Sequence, residues 1–97
     1  MFPRLKPYRS RAWLANVHEI ENCVLCGRPG IQAAHSNQER GMSQKASDCL
    51  TAALCPECHH ELDNGRHLNR DERRARMNEA IVRTLDQLAR RGLVRAV

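Results

Sequence analysis

The apolar positions fall into short runs whose spacing changes along the chain. Trp13, Leu14, Val17 and Ile20 recur at intervals of three and four residues, which predicts a helix with Ser10 as its N-cap and Glu21-Asn22 at its end. Before it, Met1 to Arg9 holds Pro3 and Pro7 and reads as an extended arm. Ile31, Ala33 and His35 then alternate with their neighbours, predicting a strand over 31–35 with these three side chains on one face. Leu50, Ala52 and Leu54 alternate in the same way, so a second strand should pair with the first across the polar stretch 36–49. A connection that long inside a small domain is usually functional or disordered. Pro56 suits the first turn of a helix, and Asn64-Gly65 stops it. Met77, Ile81, Thr84, Leu85 and Leu88 mark the buried stripe of a long helix from about Asp71 to Arg91, with Gly92 as its C-cap. The expectation is a small α+β chain built around a ββα unit, with a helix before it and a long helix after it.

Composition adds a constraint. In 97 residues there is one Trp, one Tyr and one Phe, so few large side chains can fill a core, and a chain of this size needs a staple. Five cysteines supply it. Cys23-Val-Leu-Cys26 and Cys55-Pro-Glu-Cys58 are two Cys-x2-Cys knuckles, which together can hold one tetrahedral Zn²⁺. The odd count, the paired spacing and the lack of an apolar run after Met1-Phe2-Pro3-Arg4 all argue against a disulfide framework. The second knuckle enters a helix, whose N-terminal dipole favours thiolates. A four-thiolate site is closed, so this zinc would be structural and any chemistry would need a second site. Cys49 is left over and is expected to be a small buried side chain. With no segment of membrane-spanning length, a soluble, cytoplasmic protein is expected. A single domain over 1–97 follows, comprising a basic arm and helix (1–22), a zinc-stapled ββα core (23–65) and a C-terminal helix (69–92).

The net charge of +5 is concentrated at the ends. Arg4, Lys6, Arg9 and Arg11 open the chain without an acid, and eight arginines face four acids from Arg70 onward. Basic ends around a more acidic centre suit a metal site beside a polyanion, and the guanidinium fork matches phosphate oxygens. The plainer alternative is a solvated, Arg-rich surface.

The candidate chemistry lies beside the knuckles. His35 ends the first strand, facing the helix that carries His59, and the ββα unit should bring the two together. His59 and Asp63 are four apart and share a helical face. A neutral His35 imidazole could take a proton from water while His59, with a carboxylate, holds Mg²⁺ or a similar divalent ion against a phosphate.

The run Cys-x2-Cys, Ala34-His35, Leu54-Cys55-x2-Cys58-His59 resembles the HNH endonucleases. Their ββα-metal fold, treble-clef-like in its zinc knuckles, cuts phosphodiester bonds. Within them, the Lys45-Ala-Ser-Asp48 segment, the Cys58-His59-x3-Asp63 helix and the later His67 are similar to the YbcO-like family of small phage and prophage nucleases. Arg9-Ser10-x3-Leu14 resembles the opening of the Ref-type recombination nucleases of phages. The likeness covers roughly residues 9 to 70. It implies His35 as general base and His59 as ligand of a catalytic divalent metal, with DNA as substrate in a bacterial host and a recombination protein as a further partner. Two positions depart from the family pattern. Ala34 stands where an acid or second His usually binds the metal, and Asp48-Cys49-Leu50 replaces the Asn of the motif. Asp63 is then the first choice to complete the metal site, with Asp48, His60 and His67 as other candidates. Asp48 could instead orient His35 or merely cap a loop. A non-catalytic zinc module that binds nucleic acid or a protein is the alternative function, and Ala34 favours it.

Overall fold

The computed structural model describes residues 6–36, 46–65 and 67–95. The first five residues of the expected arm and most of the polar connection, including Lys45, lie outside them.

Helix α1, Arg11–Val17, starts where Ser10 predicts, with the Ser10 hydroxyl accepting the Trp13 N–H at 3.0 Å. It ends four residues before Glu21. The chain tightens there into three-residue turns, Glu19 N–H to Asn16 carbonyl and Ile20 N–H to Val17 carbonyl, and these carry Ile20 into the core without continuing the helix. Strands β1, Gln32–His35, and β2, Thr51–Leu54, pair antiparallel with Gln32 opposite Leu54 and His35 opposite Thr51. Helix α2, Pro56–Asn64, has Pro56 in its first turn and Gly65 at its end. Helix α3, Arg70–Arg90, opens with a capping box in which the Asn69 side chain accepts the Glu72 N–H and the Glu72 carboxylate accepts the Asn69 N–H. It closes on Gly92 at φ 72°, the left-handed conformation a C-terminal glycine provides.

The ribbon β1–β2 separates two small cores. On one face Ala34, Ala52 and Leu54 pack with Leu62 of α2, Met77 and Ala80 of α3, and Cys23 and Cys55. On the other, Ala53 packs with Val17, Ile20 and Leu88, flanked by Trp13 and Ala33. The stripe of α3 therefore differs from expectation. Met77, Thr84 and Leu88 are buried as expected, but Leu85 is 46% exposed and Ala80 is buried in its place, a small side chain packed against the alanines of the ribbon. Thr84 also completes the edge of β2. Its hydroxyl accepts the Ala53 N–H at 3.0 Å and donates to the Ala80 carbonyl at 2.8 Å, and the Ala53 carbonyl takes the Val24 N–H. No helix among the described residues is long and apolar enough to cross a membrane.

Candidate metal centre and histidine pairs

Cys23, Cys26, Cys55 and Cys58 come together, each pair of sulfurs lying within 4.8 Å. Tetrahedral zinc with bonds near 2.3 Å separates its sulfurs by about 3.8 Å, and with the Cys26 and Cys55 sulfurs at 3.5 Å and all pairs within 4.8 Å, small shifts of the side chains would close the cluster around the ion. None of the cysteines is in a disulfide. The first knuckle is shaped by Gly27, whose φ of 80° lets its N–H reach the Cys23 carbonyl at 2.9 Å, and by the Cys23 N–H to Arg28 carbonyl bond at 2.8 Å. The second is shaped by α2, because Cys55 is the N-cap and accepts the Cys58 N–H at 3.4 Å. An Arg28–Glu57 ion pair joins the two. Four such cysteines can bind a metal ion such as Zn²⁺.

The sulfurs do not ionise alike. Burial opposes ionisation of Cys23, but the surrounding N–H groups of Cys55, Cys26 and Leu25 bring its thiol down to about 6. Cys58 moves the other way, contrary to the expected gain from the helix N-terminus. Burial pushes it up, and so do its bonds to the other cysteines and the charge on Cys23. One thiolate thus discourages its neighbours, a penalty that a bound dication removes. Cys49 is only half-buried and lies outside the cluster.

The two histidines expected to share one site do not face each other. Alternation along β1 puts Gln32 and Ala34 towards α2, and Ala33 and His35 towards the side of α1. His35 therefore turns away from α2, and its partner is Asp48, with Nε2 at 2.9 Å from Oδ1. Asp48 is 6% exposed, and it is more than a loop cap. Its Oδ1 also receives Arg9 Nη1 at 3.2 Å, and its Oδ2 accepts the Ser10 N–H at 2.8 Å. Burial alone would raise the Asp48 carboxyl. The hydrogen bonds from His35, Ser10 and Arg9 outweigh it and hold the carboxyl below its ordinary value of 3.8. An ionised Asp48 accepts only, so His35 carries its proton on Nε2 and, when neutral, leaves the Nδ1 lone pair open. Nδ1 has no hydrogen-bond partner among the described residues, and the side chain keeps 18% of its surface in solvent.

His59 lies at the other end of β1, on the α2 face. Its Nδ1 is 2.8 Å from Gln32 Oε1 and its Nε2 is 3.2 Å from Asp63 Oδ2. The expected His59–Asp63 pairing is therefore present, and Gln32 was not foreseen. His67 is not part of it. That side chain is 83% exposed and pairs with Glu61 at 3.9 Å. His60 points elsewhere, with Nδ1 3.5 Å from Asn64. A groove of about 730 Å³ between the first knuckle and α3, lined by Ile20, Val24, Val82 and Arg83 among others, contains neither histidine pair.

The basic residues divide as well. Arg73 donates to the Gly65 carbonyl, Arg83 to Val24 and Glu79, Arg90 to Asp86, and Arg91 to the Glu19 carbonyl. Arg70, Arg74 and Arg76 are exposed at the start of α3, and their side chains bond to none of the described residues.

Comparison with family models, with curated proteins and with solved structures gave no match.

Proposed function

We propose that the chain is a zinc-stapled, HNH-like nuclease that hydrolyses DNA phosphodiester bonds with His35 as general base. The observation that carries this is the Asp48–His35 couple. A buried carboxylate fixes the imidazole tautomer and leaves Nδ1 without a partner among the described residues. In the step, Nδ1 takes a proton from a water molecule as its oxygen bonds to phosphorus. The bond from phosphorus to the bridging oxygen breaks, and that oxygen leaves to be protonated from solvent. Asp48 stabilises the imidazolium that forms.

The four cysteines hold Zn²⁺ as a scaffold. His59 and Asp63 are the residues to hold Mg²⁺ or a similar ion, on the α2 face of the ribbon and away from His35. Their 3.2 Å separation is close to the ~3.0 Å edge of an octahedron with 2.1 Å bonds. Gln32, on the opposite nitrogen, orients the ring. Such an ion, when bound, would neutralise charge on a DNA phosphate lying along that face. Arg70, Arg74 and Arg76 supply the backbone contacts to DNA, which would be salt-dependent and largely indifferent to sequence.

A second reading is favoured by one specific observation. His35 and His59 lie against opposite faces and opposite ends of β1, and Ala34, the residue before His35, is fully buried and offers no ligand. On that reading the chain is a zinc module that binds nucleic acid without cutting it. Nicking of supercoiled plasmid by the zinc-loaded protein, with and without Mg²⁺ or Mn²⁺ and beside His35→Ala, separates the two. Metal-dependent nicking that vanishes in His35→Ala, with zinc content and fold retained, is the expected result. Salt-sensitive binding without nicking by the wild type overturns the nuclease in favour of the binding module.

A further inference from the structure

The Asp48 carboxylate that holds His35 is itself held by a part of the chain far from the ββα unit. Tyr8 to Ser10 lie along Ala46 to Asp48. The Tyr8 N–H donates to the Ser47 hydroxyl at 2.9 Å, and the Asp48 N–H donates to the Tyr8 carbonyl at 2.8 Å. Arg9 Nη1 reaches both the Ala46 carbonyl at 2.7 Å and Asp48 Oδ1 at 3.2 Å. The Ser10 N–H closes on Asp48 Oδ2 at 2.8 Å, while the Ser10 hydroxyl starts α1. Both carboxylate oxygens are thus fixed from the N-terminal side, and Oδ1 is shared between Arg9 and the His35 ring.

Sharing one oxygen has a geometric consequence. With Oδ2 tied to a backbone amide and Oδ1 to a guanidinium, the carboxylate cannot rotate about its own axis without breaking a charge-assisted bond. The direction from which Oδ1 meets His35 Nε2 is therefore set by the arm. We infer that Arg9 is a positioning residue for His35, acting through Asp48, and that the segment before α1 is part of the functional site. This rests on the reading of His35 as a base. It extends that reading to a residue that composition offered only as a phosphate contact.

The test is a cycle of Arg9→Ala and Asp48→Asn, read by plasmid nicking and by the ¹⁵N imidazole shifts of His35. Arg9→Ala is expected to lower the turnover of nicking by about tenfold, a part of the 10²–10⁴ that general-base catalysis contributes, with little change in the DNA concentration needed. In the Asp48→Asn background the same change should cost less than about twofold, since residues acting as one unit are not additive. The His35 spectrum should move from the Nε2–H tautomer towards an average of the two in Arg9→Ala, and move back in Arg9→Lys. An equal factor in both backgrounds, or an unchanged tautomer, overturns the inference. If Arg9→Ala fails to fold, Arg9→Lys and Arg9→Gln carry the same comparison. If the wild type does not nick at all, the nuclease reading fails by itself, and the tautomer still decides whether Arg9 positions His35.

Discussion

Replacing Asp48 by Ala removes the acceptor of three donors at once, and its cost can be worked from their surroundings. The Ser10 N–H sits at 2.8 Å and His35 Nε2 at 2.9 Å, both in part-buried positions. A buried donor left without an acceptor costs roughly 1–3 kcal/mol. Arg9 has 48% of its side chain in solvent and can turn to water, so its share is small. The sum is about 3 kcal/mol, a large part of the 5–15 kcal/mol that a small domain has. At ~4–8 °C per kcal/mol for a chain of this size, the zinc-loaded variant should melt roughly 12–24 °C below the wild type near neutral pH. Asp48→Asn keeps one carbonyl oxygen and should fall between them. The sign of the pH dependence is fixed as well. The folded Asp48 carboxyl lies below its ordinary 3.8, so its contribution is complete above that value and is lost as pH falls through the folded one. The gap between wild type and Asp48→Asn should therefore narrow only in strong acid. Thermal melts by circular dichroism across pH read both effects. A loss within the ~0.5 kcal/mol of an ordinary surface change would refute the reasoning, since Ser10 and His35 would then have other acceptors.

Two other perturbations probe the scaffold. Thr84→Val keeps the shape but leaves the Ala53 N–H without its 3.0 Å acceptor, and should destabilise by about 1–2 kcal/mol after allowing for the added apolar surface; urea unfolding that shows Val equal to Thr would contradict this. Stripping metal with a chelator, or Cys26→Ser, should abolish the cooperative melt and release one zinc per chain, because Cys23 and Cys55 anchor an otherwise alanine-rich core and structural zinc contributes on the order of 10 kcal/mol. A chelator-treated chain that melts as before would show the four thiols to be a packing cluster.

Much of the fold was legible because its signals are local. Ser10 marks a helix start through its hydroxyl, Pro56 and Gly65 mark helix ends through their backbones, and each works within a turn of where it acts. Asn69 and Glu72 spell a capping box three residues apart, and it starts α3 at Arg70, one residue before the apolar spacing alone suggests. The knuckles gave the four cysteines for the same reason, since their spacing is a ligand bite. What could not be read depends on which face of the ribbon each helix covers. Alternation places Ile31, Ala33 and His35 on one side whatever the fold does, but nothing in the spacing says that α2 takes the other side. Periodicity weighs apolarity and so favours Leu85 over Ala80, whereas the buried face of α3 against the ribbon holds the small Ala80. The bonds from Arg9 and Ser10 to Asp48 span some 39 residues and leave no trace in any local window.

The full burial of Ala34 bears on how this chain can change over generations. The position sits against Leu62, Met77 and Ala80 with no exposed surface. A carboxylate or imidazole introduced there would be charged or polar in an apolar wall and too large for its space. A ligand added at 34 in one step would therefore cost stability before it could bind a metal. Room must first be made, for instance by a smaller residue at Met77, and that change costs stability while giving nothing by itself. The order of substitutions is thus constrained by packing, and the sequence is held at alanine by its neighbours whatever selection acts on the chemistry beside it.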